Sequence, residues 1–201
     1  MLFRKKTKNQ TQYEPLIPPI EKPICKFSKY EAQQFFEWYM QNIPDRISYL
    51  SQKCQLPEYT SSISYEWKSA HLFRIWKWFL RVAEIEIEPE TGEKHFSVIT
   101  EYVLRDIGMY IGEMFVNTCP NLRWDYYTKP KSDIFVNEPV ILGFVDNTYV
   151  PPFHLRFEPI HMVRMKALNM LDGTHHTSDL YDLFMFWGKY TIGGTAADKQ
   201  D

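Results

Sequence analysis

The sequence predicts an α+β fold: a helix-rich single domain with a small antiparallel sheet following a long central helix. Three observations predict it. Apolar residues recur with helical period through Glu101–Asn117. Two runs of strand composition, Leu122–Lys129 and Pro139–Val145, come after that helix. The 201 residues show no internal repeat and no second-domain boundary, and 44% of them are hydrophobic, enough for one sizeable core.

Residues 1–26 read as an extended, partly disordered arm, because Pro15, Pro18, Pro19 and Pro23 interrupt regular structure. Leu16, Ile17 and Ile20 are available to pin it. The domain proper is expected over 27–190. Ser28 with Glu31 forms a capping box and starts a helix through about Gln41, with Phe35, Phe36, Trp38 and Tyr39 on its aromatic face. Pro44 suits the first turn of a second helix, about Asp45–Gln55. Ser64 can cap a third, about Tyr65–Ala83, whose basic residues Lys68, Arg74, Lys77 and Arg81 form an outer stripe.

Glu84–Glu93 carries five glutamates and no basic residue. Its alternation fits a short strand before a Pro89–Gly92 turn. The central helix follows over Phe96–Cys119. Its wheel puts Val103, Leu104, Ile107, Tyr110, Ile111, Met114 and Phe115 on a wide apolar arc. Glu101, Arg105, Asp106, Glu113 and Asn117 fall on the opposite, polar side. Gly108 and Gly112 cost about 1 kcal/mol each against alanine in a helix, so another element is expected to cross closely there. Tyr149–Phe157 is limited to an edge or loop by Pro151-Pro152. Pro159 suits the start of a helix ended by Asp172-Gly173, and Ser178 can cap a last helix, about Asp179–Lys189. Residues 191–201 are expected to be a disordered tail.

Function is less legible. The net charge is −2, which gives no general reason to expect a nucleic-acid partner. No apolar run approaches the length of a membrane span. The start is charged but lacks a following apolar region, so it does not read as a signal peptide. Cys25, Cys54 and Cys119 are sparse and odd in number, which fits reduced thiols in a cytoplasmic protein. No nucleotide, zinc-protease or serine-hydrolase motif is present. No metal site and no cofactor is expected: His175-His176 are adjacent but lack further ligands at useful spacing.

Two sets of candidate residues remain. Glu113, beside Gly112, with His161 and Arg164, would make an acid–base or anion site if the fold brought them together. Glu86, Glu88, Glu90 and Glu93 form an acidic surface suited to a basic protein partner. Gly108-x-x-x-Gly112-Glu113, then Trp124 in a strand, Pro139-Val140 and a Pro159-initiated helix resemble the layout of small uncharacterised bacterial α+β proteins, some of them immunity-protein-like. The resemblance covers about residues 97–171. It implies a bacterial cytosolic binding protein and transfers no catalytic residue. The leading expectation is therefore a non-enzymatic protein-binding module, immunity-like or regulatory. The alternatives are a small-molecule hydrolase using Glu113 and His161, and a peripheral membrane protein held by the basic cluster Arg4–Lys8.

Overall fold

The structure, a computed structural model, describes residues 13–56 and 65–191. The basic cluster Arg4–Lys8 and the Ser64 cap lie outside them, as does the expected tail apart from Thr191. Five helices are described: α1 (Lys29–Lys53), α2 (Tyr65–Val82), α3 (Val98–Thr118), α4 (Pro159–Asp172) and α5 (Asp179–Gly188). The strands are β1 (Ile85–Ile87), β2 (Lys94–Phe96), β3 (Arg123–Asp125), β4 (Val140–Asp146) and β5 (Phe153–Phe157). β1 and β2 form an antiparallel hairpin; β3-β4-β5 form an antiparallel sheet. This is an α+β single domain, and among the described residues no helix is long and apolar enough to cross a membrane.

The core is built around α3. Every residue from Val103 to Gly112 is buried, so the helix is enclosed on all sides. It packs on α1, α2 and α4 and meets the sheet through Phe115, whose ring lies 5.2 Å from both Phe144 and Phe157 and 4.6 Å from Phe184 of α5. Both helical glycines are sites of close approach. A Cβ on Gly108 would stand 3.0 Å from the Ile160 backbone of α4, and one on Gly112 would overlap the Trp124 ring of β3. Gly143 is different. Its φ of +113° is closed to side-chain-bearing residues, and it sits at the register shift between Leu142 and Phe144 in β4. Asn121 donates through Nδ2 to its carbonyl at 2.9 Å.

Enclosure of α3 overturns one expectation. Arg105 and Asp106, placed by the wheel on a polar outer side, are 7% and 0% exposed. Asp106 Oδ2 accepts from Arg46 Nε of α1 at 2.9 Å and from the Tyr13 hydroxyl. Burial drives the Asp106 carboxyl up, opposed by the hydrogen bonds from Arg46 and Tyr13. The same groups fasten the N-terminal segment. Arg46 Nη2 donates to the Glu14 carbonyl at 3.0 Å, the Glu14 N–H donates to the Tyr49 hydroxyl at 2.7 Å, and Arg105 donates to the Leu16 carbonyl. The chain from Tyr13 to Lys26 is thus irregular, apart from a 3-10 turn at Ile24–Lys26, yet anchored at several points.

Pro44 does not start a new helix. The capping box at Ser28 and Glu31 forms as expected, but α1 then runs unbroken to Lys53 with Pro44 inside it. An interior proline costs about 3 kcal/mol, because it removes an N–H and crowds the preceding turn. The flanking side chains offset this: Tyr39, Ile43, Ile47 and Leu50 are all buried on one face. Two smaller corrections follow. Phe96 belongs to β2 rather than to α3, and Ser178 makes no side-chain cap; instead Asp179 Oδ2 accepts from the His176 N–H at 2.8 Å. The strand expected over Leu122–Lys129 pairs only through Arg123–Asp125, beyond which a single bond of 2.7 Å joins the Asn137 N–H to the Tyr127 carbonyl.

Arg46→Met should destabilise the protein by about 3–5 kcal/mol, because it strands a buried carboxylate. Urea unfolding measures this, and a loss under 1 kcal/mol would contradict the anchoring role. Gly112→Ala should lower stability by about 1–3 kcal/mol through overpacking against Trp124, despite the gain in helix propensity. A raised urea midpoint would show that the indole yields freely.

Candidate functional site

The four candidate glutamates lie on the β1–β2 hairpin. Glu86, Glu88, Glu90 and Glu93 are all exposed. The hairpin is tied to the body at its base: Thr100 Oγ1, in the first turn of α3, accepts from the Glu84 N–H at 2.8 Å. Between the strands, the Ser97 N–H donates to Glu84 at 2.9 Å and the Glu88 N–H to Glu93 at 2.8 Å. By antiparallel alternation, Ile85 and Ile87 then direct their own N–H and C=O groups to the outer edge of β1. Their side chains are exposed at 40% and 61%. Glu86 Oε2 lies 3.9 Å from His95 Nδ1 on the other face.

The candidate acid–base residues fall in separate places. Glu113 is half-buried. Its Oε1 accepts from Trp124 Nε1 at 2.7 Å and its Oε2 from Asn117 Nδ2 at 2.9 Å. Neither donor is charged, and among the described residues no cation pairs with it. It closes one side of a cleft of about 370 Å³ along the C-terminal half of α1. His161 packs against the Phe135 ring at 4.6 Å, and burial, with Arg164 nearby, pushes its pKa below the ordinary value. Arg164 is bound to Glu101 at 3.0 Å. Glu101 and Glu113 are about 18 Å apart along α3 at the α-helical rise. Arg164 therefore does not reach Glu113, and His161 is not among the residues that line the cleft of Glu113.

A second polar cluster, which the sequence did not reveal, lies at one end of the three-stranded sheet. Continuing the registers Asp125↔Val140 and Ile141↔Phe157 brings Tyr127, Glu138 and Glu158 to the same end. Arg156 lies 4.2 Å from the Tyr127 ring centroid and pairs with Asp133 at 3.0 Å. The Asp133 carboxyl is held below its usual range, first by the Phe135 N–H. Burial pushes Glu138 and Glu158 the other way, each to about 7. The only available signal was their position beside Pro139 and Pro159, at the ends of predicted elements. Glu158 is the residue before the first turn of α4 and makes no side-chain cap there.

The Cys119 thiol is buried, and burial raises its pKa. His175 and His176 are exposed, and the His176 carbonyl accepts from Trp76 Nε1 at 3.0 Å. No group of three metal-ligating side chains occurs among the described residues. Comparison of the chain with family models, curated proteins and solved structures finds no match.

The raised carboxyls set a pH dependence. Glu138 and Glu158 bind protons more tightly when folded, so their contribution to stability falls as pH rises from about 4.5 through about 7. His71 and His161, held below 6.5, act oppositely in the lower part of this range. Thermal unfolding of wild type and Glu138→Gln/Glu158→Gln at pH 5 and pH 8 separates the two effects. The double variant should lose stability less than wild type on going from pH 5 to pH 8. Equal changes in both would show that these carboxyls are not buried.

Proposed function

We propose that this protein is a non-enzymatic binding module, immunity-like or regulatory, that docks a basic protein partner on the β1–β2 hairpin. The observation that carries this reading is the outer edge of β1. Among the described residues no other strand pairs with the backbone groups it offers at the two exposed isoleucines, which Glu84, Glu86 and Glu88 flank. An open strand edge supplies main-chain hydrogen bonds to an added strand, and side chains at alternate positions supply selectivity. The glutamates favour a basic partner and repel a second acidic hairpin. The resemblance of the Gly108–Pro159 layout to small uncharacterised bacterial α+β proteins, some of them immunity-protein-like, supports the same class, with the cytoplasm as the expected place of action. The hydrolase alternative needs Glu113 acting with His161, and the different neighbours of the two residues, the Trp124 indole and the Phe135 ring, weigh against it.

The test uses chemical cross-linking in native cell extract, with the intact protein as bait. Wild type should retain a partner with a basic contact surface, and added salt should weaken the interaction. Glu86→Lys/Glu88→Lys/Glu90→Lys/Glu93→Lys should lose that partner while keeping its helical circular-dichroism signal. Retention of the same partner by the variant would move the interface elsewhere. Turnover of a small substrate that is abolished in Glu113→Gln would overturn the non-enzymatic reading.

A further inference from the structure

The cleft beside Glu113 has the size and lining of a ligand site. Its apolar wall comes from Ile43, Pro44, Ile47 and Leu56, and Glu113 of α3 faces that wall. Its volume of about 370 Å³ falls within the range of small-molecule pockets. Ser51 also lines it. That residue is 5% exposed, and its hydroxyl has no hydrogen-bond partner among the described residues, which marks an unmet polar requirement at the cleft wall.

The chemistry of Glu113 narrows the ligand. A carboxylate offers about four acceptor positions, and the indole of Trp124 and the amide of Asn117 occupy two of them. These two contacts hold the group in place without neutralising it. An anionic ligand would meet repulsion, and a neutral one would leave the charge unbalanced in a cleft partly shielded from water. A protonated amine supplies both the charge and the donors. Ile43, Ile47 and Leu56 call for an apolar body attached to it.

We propose that this cleft binds a small organic amine, its ammonium on Glu113 and its apolar body along the α1 wall, with the Ser51 hydroxyl offered to a polar substituent. The site is separate from the hairpin and does not depend on the docking reading.

Isothermal titration and NMR chemical-shift mapping with 2-phenylethylamine test it, with phenylacetate and 2-phenylethanol as probes of the same body. The amine should bind in the micromolar to low-millimolar range and shift resonances of Ile43, Ile47 and the Trp124 indole. Phenylacetate should bind at least tenfold more weakly. Glu113→Gln keeps an oxygen for the Trp124 N–H and should weaken amine binding at least tenfold. Ser48→Trp, made at an exposed position on the cleft wall, should block binding while leaving the fold intact. Equal affinity for phenylacetate and the amine would overturn the proposal. So would unchanged binding by Glu113→Gln or Ser48→Trp, or no amine binding by wild type at 10-fold above the low-millimolar range.

Discussion

The buried carboxylate of Asp106 is the constraint on which the arrangement of the first half of the chain depends. A charge taken fully out of water is tolerated only with partners in good geometry. Arg46 and Tyr13 are those partners, and they come from two different parts of the chain. The bonds from Arg46 to Asp106 Oδ2 therefore tie α1 to α3. Satisfying Asp106 also draws the irregular segment from Tyr13 onward across both helices. Arg105 adds a second hold one residue earlier on α3. The apolar contacts around Leu104 and Ile107 bring the helices together without specifying direction; the ionic contact is directional.

Much of the fold was legible in the sequence for local reasons. The capping box at Ser28, the period of Glu101–Asn117, the proline at the start of α4 and the glycine after it each depend on residues close in sequence. The failures share a cause: distant residues decided them. Helical period sorted Asp106 as an outer residue because nothing near it in sequence announces Arg46. Pro44 read as a helix start because the burial of Tyr39, Ile43 and Ile47 against other elements, which keeps α1 continuous, is invisible locally. The close approaches at Gly108 and Gly112 were expected in kind, while their partners, Ile160 and Trp124, emerge only from the packing.

The candidate sites divide in the same way. The acidic hairpin is contiguous in sequence, so its four glutamates could be named in advance, and the structure adds the outer edge of β1 and the exposed Ile85 and Ile87 beside them. Glu113 could also be named, but its surroundings could not. The indole that holds it lies on a strand after the helix, and the cleft it faces is made by α1. His161 drew notice as a possible proton carrier, whereas burial also pushes up the carboxyls of Glu138 and Glu158, which drew none. Carboxyls at the ends of strands look solvent-bound in a sequence, and only the way the sheet end is covered reveals otherwise.

Gly143 carries a consequence for how descent with this fold could be traced. Its backbone conformation excludes nearly every other residue, and Asn121 closes on it from the neighbouring turn. Gly112 and Trp124 are bound to each other by lack of space, and Gly108 answers to the backbone of α4. Surface residues and even core residues can drift in compensating steps, but these positions have few exchanges open to them. As sequences diverge, the spaced pattern of Gly108, Gly112, Trp124 and Gly143 should outlast general similarity. Kinship among distant copies would then be written in a few small residues and one indole.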